Sequence, residues 1–376
     1  MGETKLVMTI GIDGNEANIQ NRVGSGEYCF ELLRNLDLLQ EDKIFVYLKE
    51  RVVPDLPKSS KNLSYRVFGP RIFWTQFALP LNLYFKKPTP DVFYTPGHYA
   101  PRFCPVPVVI TIFDLSYIHF PELFKKKDLY QLRSWTSYSI RKAKAILTIS
   151  NSSKADIIKH YKVDPKKVFV TYPGYDEKIF KPVTDPKSII LIKRKYDIKG
   201  KYVFFLGTIQ PRKNLVRLIE AIKQLENVNL VIAGKKGWLY DEFFQKIEEP
   251  EVKNRIILTN FIPDSDLPVL FSGAEAFVLP SLWEGFGIPV VEAMACGCPV
   301  VVSDKSSLPE VIGNNGVLIN PENVASIRNG IQKVLTNKNF AQELSTKGLI
   351  QAKKFSWKRC ANKTLEILEN TVNSKN

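Results

Sequence analysis

The sequence has few cysteines and no long apolar run. Its five cysteines are odd in number and scattered, at positions 29, 104, 296, 298 and 360. This argues against a disulfide framework and for a reducing compartment. Cys296 and Cys298 are close in sequence, but no second cysteine pair is present to complete a zinc site. No apolar run reaches the roughly 18 to 20 residues that span a bilayer, and the start MGETKLVMTIGIDG lacks a signal peptide's apolar core. We therefore expect a cytoplasmic protein.

Sequence motifs for binding dinucleotides and nucleic acids are also missing. The loop DGNEANIQNRVGSGEYCFELL has glycines at 14, 24 and 26, which is not the GxGxxG spacing. The formal net charge of +15 implies an anionic partner, such as phosphate groups, an anionic membrane surface or nucleic acid. Because the sequence contains no recognisable nucleic-acid-binding motif or dense basic helix, we expect no nucleic acid partner.

Apolar runs rich in β-formers alternate with helical patterns along the chain. With 376 residues, 44% of them hydrophobic, the chain exceeds one ordinary core and predicts two domains. Strand-like runs are KLVMTIGI, IFVYL, PVVITIF and AILTIS in the first half, then KYVFFLG, NLVIAG, RIILTN, AFVLP and PVVVS. The alternation indicates parallel α/β architecture. The segment YPGYDEKIFKPVTDP, rich in Pro, Gly and charge, separates domains that we place at 1–183 and 184–357.

The segment SLWEGFGIPVVEAM places two glutamates, Glu284 and Glu292, around an apolar run. It follows the strand AFVLP, and ligands of open α/β sheets bind at the carboxyl ends of strands. Glycines at 285 and 287 allow close approach of the backbone to a ligand, and Pro289 suits the first turn of a helix whose N–H groups attract anions. Glu292 is expected in that first turn. The alternative is a plain helix N-terminus stabilised by one glutamate.

Two cations, Arg212 and Lys213, lie between the strand KYVFFLG and a helix that is expected to begin near Asn214. At a strand's carboxyl end, they would hold a diphosphate and stabilise its charge as it leaves. The alternative is a solvated basic turn.

These segments resemble the retaining glycosyltransferases of family 4, which have the GT-B fold. The family pattern of two glutamates with seven residues between them, and Gly-Phe-Gly after the first, stands complete as EGFGIPVVE from Glu284 to Glu292. FLGTIQPRKNLVRLIEAI, AKAILTISNSSKADI, YPGYDEKIF and the tail FSWKRCANKTLEIL resemble other family segments. The resemblance implies two Rossmann-like domains facing each other across a cleft, acceptor-side first and donor-binding second. A last helix, at about 358–376, would cross back to the first domain.

The resemblance also implies roles for residues of the second domain. Glu284 would face the transferred sugar, and Glu292 would bind the ribose hydroxyls of the nucleotide. Lys213 would hold the diphosphate, and Arg212 would compensate for Thr208, which stands where the family has an arginine. The expected donor contacts are therefore Thr208, Arg212, Lys213, Glu284, Gly285, Phe286, Gly287, Ile288 and Glu292, with residues 285 to 288 acting through backbone N–H groups.

In the first domain, Gly24 is the best match to the family's glycine near the donor phosphate. A family histidine beside the donor sugar is replaced by Phe113, so the next residue, Asp114, is expected to contact the sugar as a catalytic residue. His98 and His119 are candidates for acceptor or sugar contacts. A structural role is the alternative for each lone histidine.

The implied reaction moves a hexose from a nucleotide-diphosphate sugar by front-face displacement, in which the leaving diphosphate helps to deprotonate the acceptor hydroxyl. First-domain stretches most resemble bacterial mannosyltransferases of surface-polysaccharide synthesis. GDP-mannose is therefore the expected donor, with UDP-sugars as the alternative, and a glycan or lipid-linked saccharide is the expected acceptor. We identify no Asp-x-Asp metal motif, so we expect a metal-independent enzyme without a cofactor.

Three other functions use some of the same residues. Glu284 and Glu292 as acid and base of a glycoside hydrolase would have no use for the Arg212-Lys213 pair, so we reject that function. A non-catalytic nucleotide-sugar binder and an epimerase of GT-B architecture stay open. Release of nucleotide diphosphate that depends on an acceptor distinguishes a transferase from both.

Two basic segments of the first domain contain aromatic and apolar residues. They are GPRIFWTQFALPLNLYFKKP, at 69–88, and FPELFKKKDLY, at 120–130. This composition is typical of an interfacial segment, and it predicts peripheral contact with the anionic inner face of the cell membrane. A core helix with basic ends is the alternative.

Overall fold

The computed structural model of the protein describes residues 7–20, 22, 24–37, 42–237, 239 and 241–373. The chain forms two compact units. Unit 1 comprises Met1–Pro173 with Trp357–Asn376, and unit 2 comprises Gly174–Ser356. The observed boundary, between Pro173 and Gly174, precedes the boundary expected at 183/184, because the segment 174–183 belongs to unit 2. Two residues of the predicted strand KLVMTIGI, Lys5 and Leu6, lie outside the described residues.

Unit 1 is built on a parallel sheet with the strand order β3-β2-β1-β4-β5-β6-β7. The central strands are buried on both faces, which explains their unbroken apolar runs. The strands are β1 (Thr9–Asp13), β2 (Lys43–Leu48), β3 (Leu63–Val67), β4 (Val92–Thr95), β5 (Val108–Ile112), β6 (Ala145–Thr148) and β7 (Val168–Val170).

The helices of unit 1 include the last helix of the chain. They are α1 (Ser25–Asp37), α2 (Leu79–Phe85), α3 (Ser116–His119), α4 (Lys126–Lys142), α5 (Asn151–Tyr161) and α14 (Trp357–Asn373). A π-helical turn, Trp74–Ala78, precedes α2. The buried residues of α14 recur every three or four positions, and they pack this helix on α1, where the Trp357 and Tyr28 rings meet with centroids 5.6 Å apart.

Unit 2 is a second parallel sheet, with the strand order β10-β9-β8-β11-β12-β13. Its strands are β8 (Tyr202–Leu206), β9 (Asn229–Ala233), β10 (Ile256–Asn260), β11 (Ala276–Leu279), β12 (Val300–Ser303) and β13 (Val317–Ile319). Its helices are α6 (Pro186–Lys195), α7 (Leu215–Lys223), α8 (Asp241–Ile247), α9 (Leu267–Gly273), α10 (Ile288–Ala295), α11 (Leu308–Ile312), α12 (Val324–Thr336) and α13 (Lys338–Ala352).

Both sheets reverse their strand order at one point, as doubly wound folds do. The reversal lies between β1 and β4 in unit 1 and between β8 and β11 in unit 2. Loops that leave neighbouring strands in opposite directions open a crevice there, and ligands bind in it. The predicted α/β class is confirmed, and the two switch points are where sites are expected. Among the described residues, no helix combines the length and apolar character that a membrane span requires.

Candidate active site

Two loops meet at the switch point of unit 2. The loop after β8 ends in a 3-10 turn, Pro211–Lys213, and the next residue, Asn214, has a left-handed backbone with φ of 60°. Asn214 Nδ2 donates to the carbonyl of Pro280, in the loop after β11, at 3.0 Å. The backbone N–H of Leu282 donates to the Arg212 carbonyl at 2.9 Å. These bonds join the two loops at the carboxyl ends of neighbouring strands.

The Glu284 carboxylate contacts both cations of the first loop. Lys213 Nζ donates to its Oε1 at 2.5 Å, and Arg212 Nη1 donates to its Oε2 at 3.3 Å. Burial, the largest influence, raises the pKa of the Glu284 carboxyl, but the charges of Lys213 and Arg212 outweigh burial and lower the pKa to about 2. Glu284 is therefore ionised at neutral pH. Two cations and one carboxylate leave this trio one net positive charge, which suits an anionic ligand.

The ionisation of Glu284 also argues against the hydrolase alternative. In a glycosidase pair, one carboxyl must hold a proton at the working pH so that it can act as a general acid. A pKa of about 2 leaves Glu284 without that proton. Glu284 is therefore unsuited to the general-acid position of such a pair at neutral pH.

Two serines that were not predicted from the sequence form hydrogen bonds with the backbone of the Glu284 loop. The backbone N–H of Glu284 donates to Ser306 Oγ at 2.9 Å. Ser307 Oγ donates to the carbonyls of Glu284 and Phe286, at 2.9 and 3.0 Å. Both serines follow β12, whose carboxyl end lies at the same sheet edge as that of β11. Their position just after a predicted strand was the feature of the sequence that could have identified these serines.

The helix after the Glu284 loop, α10, begins where Gly287 permits a sharp turn. Gly287 has φ of 104°, and a Cβ there would lie 2.7 Å from Leu308 Cδ2, so a larger residue would be strained and would clash. Ile288 is the first helical residue, and Pro289 lies in the first turn as predicted. The expectation for Glu292 was wrong: it lies beyond the first turn, because four residues of α10 precede it. Glu292 is half-buried.

The remaining expected donor contacts of unit 2 lie around these loops. Gly285 is buried in the Glu284 loop. The Phe286 side chain is also buried, and its ring meets that of Phe355 with centroids 5.2 Å apart, so only its backbone can serve a ligand. Thr208 lies half-buried after β8, and its methyl group packs where a Cβ on Gly237 would approach within 2.8 Å.

The chain contains one Asp-x-Asp spacing, at Asp264 and Asp266, which the sequence reasoning passed over. Asp266 Oδ2 accepts hydrogen bonds from Lys195 Nζ at 2.5 Å and from the Tyr196 hydroxyl at 2.6 Å. Asp266 also precedes α9 as its N-cap residue. The structure therefore gives Asp266 a place in an ion pair that joins α6 to α9.

In unit 1, the structure brings together three of the expected residues after β4 and β5. The Phe113 N–H donates to His98 Nε2 at 3.2 Å, and the two rings stack with centroids 5.5 Å apart. Because Nε2 accepts, the neutral imidazole carries its proton on Nδ1. Burial lowers the pKa of His98, although the Asp114 charge opposes this, so the ring stays neutral. Asp114 Oδ1 accepts from the Ser116 N–H at 2.8 Å.

His119 is engaged elsewhere in unit 1. Its Nε2 lies 2.9 Å from Asp156 Oδ2, on α5. The structure therefore assigns it a different neighbourhood from that of His98 and Asp114.

Gly24 lies on the surface at the start of α1. It has φ of 56°, and a Cβ there would meet nothing within 4 Å. Its carbonyl accepts the Tyr28 N–H at 3.0 Å, so it caps the helix. A left-handed glycine is what this turn requires.

A pocket of about 270 Å³ lies at the switch point of unit 1. Its polar groups include Asp13 at the end of β1 and Glu16, and its aromatic wall includes Tyr99 and Trp135. Burial raises the pKa of Asp13 to about 6, although Asn15 donates to its carboxylate. None of these residues was singled out from the sequence, because their proximity depends on the strand order.

Two doubly wound parallel α/β units are the architecture of the GT-B fold, and solved structures of that fold match this chain. Sucrose-phosphate synthase of Thermosynechococcus elongatus has a TM-score of 0.79 to this protein, at 18% identity, over 98% of this chain and 100% of its own. HepE of Anabaena, in complex with UDP and glucose, has a TM-score of 0.77 at 20% identity, over 96% of this chain and 99% of its own.

The chain belongs to glycosyltransferase family 4. Residues 24–178 match the family model described as Glycosyltransferase Family 4, and residues 189–351 match that of Glycosyl transferases group 1. O-antigen chain mannosyltransferase B of Escherichia coli is 32% identical over 280 residues, which cover 73% of each chain. The resemblance inferred from the sequence is confirmed, and the protein is a glycosyltransferase.

Proposed function

We propose that this protein is a retaining hexosyltransferase that uses a nucleotide-diphosphate sugar, with GDP-mannose as the leading donor. The observation that carries the proposal is the contact of Glu284 with Lys213 and Arg212 at the switch point of unit 2. A cluster with one surplus positive charge attracts a diphosphate, and the carboxylate stabilises the positive charge that develops on the sugar ring. Glu292 on α10 is assigned to the ribose.

The proposed chemistry is a front-face displacement. The bond from the sugar C1 to the phosphate oxygen breaks, and a bond from C1 to the acceptor oxygen forms on the same face. The acceptor's proton passes to a diphosphate oxygen, so the nucleotide diphosphate is the second product. Lys213 and Arg212 stabilise the charge of this leaving group, so the step as written requires no metal ion.

The preference for mannose rests on the relatives. The Escherichia coli relative is named a mannosyltransferase of the O-antigen chain. HepE, which shares the fold at 20% identity, was solved with UDP and glucose, so a UDP-sugar is the second candidate. We place the donor in unit 2 and the acceptor in unit 1.

The acceptor is proposed to enter the pocket at the switch point of unit 1. Aromatic rings such as Tyr99 and Trp135 present flat apolar faces to the C–H groups of a sugar. The carboxylates of Asp13 and Glu16 can accept hydrogen bonds from its hydroxyl groups. Phe73 also lines this pocket, and it is 63% exposed. The pocket therefore borders an apolar surface.

That surface supports a lipid-linked acceptor. Six large side chains on and beside α2 are exposed, and we call them the apolar patch: Ile72, Phe73, Phe77, Leu81, Tyr84 and Phe85. The opposite side of the same segment is buried against β2 and β4 through Trp74, Leu79 and Leu83. Exposed Arg71, Lys86 and Lys87 flank the patch. Apolar residues ringed by cations fit an anionic bilayer, so we propose peripheral attachment at the inner face of the cell membrane.

A two-stage experiment tests the function. A thermal-shift screen of GDP, UDP and their sugars identifies the donor, because a bound ligand raises stability by mass action. The matching sugar is then incubated with undecaprenyl-linked and free mannosides, and nucleotide release and product anomers are measured by NMR. The proposal expects acceptor-dependent release and an α-linked product from the α-configured donor. Release without acceptor would indicate a hydrolase, an epimerised nucleotide sugar would indicate an epimerase, and an inverted product would overturn retention.

A further inference from the structure

Outside the proposed transfer site, unit 1 gathers two of the protein's three histidines around an aspartate. His119 ends α3, while Asp156 and His160 lie four residues apart on one face of α5. His119 Nε2 lies 2.9 Å from Asp156 Oδ2, and the two imidazole rings meet edge to face with centroids 5.4 Å apart. One ligand atom from each of the three residues lies within 4.8 Å of the others.

We propose that His119, Asp156 and His160 bind a divalent transition-metal ion, with Zn²⁺ as the best fit. Two imidazoles and one carboxylate are a donor set that such ions prefer, and Ca²⁺ or Mg²⁺ would require more oxygen ligands. Nitrogen and oxygen ligands bind Zn²⁺ at about 2.0 to 2.2 Å, so the ligand atoms of a tetrahedral site lie roughly 3.4 Å apart. The 2.9 Å contact of His119 with Asp156 would therefore open slightly as the ion enters, and all three ligand atoms already lie within 4.8 Å of one another. His160 is exposed and His119 half-buried, so their side chains have room to move.

The burial of the cluster also favours a metal over a simple ion pair. The Asp156 carboxylate is largely withdrawn from water, with 12% of its side chain exposed, and His119 keeps 24%. A single ion pair would account for His119 and Asp156 but gives no role to His160, whose ring is turned toward His119. A metal site with three protein ligands, and a fourth position open to water on the His160 side, uses all three groups.

The site would attach α3 to α5. Asp114 accepts a hydrogen bond from the first residue of α3, Ser116, and His119 is the last residue of the same helix. A metal at His119 would therefore fix the far end of the short helix that follows Asp114. This is a structural role within unit 1, and it is independent of the donor chemistry proposed for unit 2.

Cobalt binding by the tag-free, full-length protein tests the site directly. After EDTA treatment, Co²⁺ is titrated and its visible d–d absorption is recorded, followed by competition with Zn²⁺. We expect one Co²⁺ per chain, without the near-ultraviolet thiolate band, displaced by one equivalent of Zn²⁺. Cys104 is the cysteine that is not fully buried, so Cys104→Ser serves as the control and should bind cobalt normally.

His160→Ala is the decisive variant, because the exposed ring can be removed while the His119–Asp156 contact is kept. Loss of a group that merely supports a ligand weakens metal affinity about 10- to 100-fold, so loss of a direct ligand should weaken it at least tenfold. The melting temperature should rise with Zn²⁺ in the wild type and stay unchanged in His160→Ala and Asp156→Asn. Equal cobalt affinity in wild type and His160→Ala, a thiolate band that disappears in Cys104→Ser, or no binding at millimolar Co²⁺ would each overturn the proposal.

Discussion

At the scale of single residues, the proposed donor site contains a carboxylate that is not easily protonated. Glu284 is buried, yet its contacts with Lys213 and Arg212 keep it ionised. A ligand diphosphate would compete with Glu284 for the same cations. Binding of a diphosphate there would therefore change the charge environment of the Glu284 carboxylate.

The two glutamates should differ in their kinetic effects. Glu284→Ala should lower turnover about 10²- to 10³-fold, because charge stabilisation in the transition state is lost. Nucleotide binding should be kept or tightened, since two cations lose their internal counter-charge. Glu292→Ala should instead weaken nucleotide binding, measured by calorimetry beside steady-state rates. Normal activity in both variants would refute the site assignment.

Lys213→Ala should reduce donor affinity and rate together, because the ammonium group contacts both the bound diphosphate and the leaving group. Loss of a charge-assisted contact costs about 1.5 to 3 kcal/mol, which appears in kcat/KM for the donor. Lys353→Ala, at an exposed lysine of the same unit, is the control. Because Lys213 contacts Glu284, the double variant should be less impaired than the sum of the single ones. Unchanged efficiency would assign Lys213 to structure alone.

The depressed pKa of Glu284 predicts how stability depends on pH. Its pKa is about 2 in the folded protein and 4.5 in the unfolded reference. The stabilisation is therefore complete above pH 4.5 and is lost as the pH falls toward 2. That shift corresponds to roughly 3 kcal/mol. Urea unfolding should show Glu284→Gln less stable than wild type at pH 7, with the gap narrowing below pH 4.5. A gap that is constant from pH 7 to 3.5 would contradict this.

At the scale of elements, the segment before α2 combines both interpretations that the sequence left open. One side of it packs in the core through Trp74 and Leu83, and the other side exposes the apolar patch. Phe73, with φ of 52°, is the N-cap residue that precedes the π-helical turn. A bulky residue in this conformation costs about 1 to 3 kcal/mol and marks functional positions. The aromatic composition was visible in the sequence, but this local geometry was not.

The apolar patch predicts salt-sensitive binding to vesicles that contain anionic lipid. Each basic residue near the surface contributes about 1 kcal/mol, so Lys86→Glu with Lys87→Glu should weaken binding more than tenfold. Adding Lys125 to Lys127, each changed to glutamate, should abolish it. Phe77→Ser tests the apolar contribution, and Leu83→Ser is unsuitable because Leu83 is buried. Vesicle co-sedimentation measures binding, and insensitivity to both salt and charge would favour a soluble acceptor.

The sequence predicted some elements well because their patterns are strong. Runs of apolar residues identified the strands β5, β6 and β8 to β12, and the EGFGIPVVE segment located the Glu284 loop. The strands β3, β4, β7 and β13 were missed. Of these, β3, β7 and β13 are partly buried edge strands, which do not need a continuous apolar run, and β4 is only four residues long. The side-chain contacts of Ser306, Ser307 and Asn214 were missed because these residues bond to backbone groups far away in the chain. Such contacts are defined only once the strand order is known.

At the scale of the whole molecule, unit 1 is discontinuous in sequence. Its first part ends at Pro173, and α14 returns from Trp357 onward to cover α1. The last helix was expected to complete the first domain, and unit 1 includes Trp357–Asn376. Unit 2 is one continuous stretch, Gly174–Ser356, with its own sheet.

Removal of residues 357–376 should therefore damage unit 1 and spare unit 2. The loss exposes the α1 face that contacts Trp357, Ile367 and Leu368, which are buried. At about 1.5 to 3 kcal/mol for each large side chain, the truncation should cost at least about 4 kcal/mol. Hydrogen exchange should accelerate in α1 but not in α7, and thermal shifts with the donor nucleotide should persist. Unchanged exchange in α1 would mean that α14 adds little.

The return of α14 also sets an order for biosynthesis. A ribosome releases α1 before unit 2, but α14, the helix that packs on α1, is made after all of unit 2. Unit 2 can complete its sheet during translation, whereas unit 1 has to wait for α14, and until then Tyr28 lacks the Trp357 ring that it meets in the folded protein. The nascent chain is therefore most vulnerable to aggregation in its oldest part.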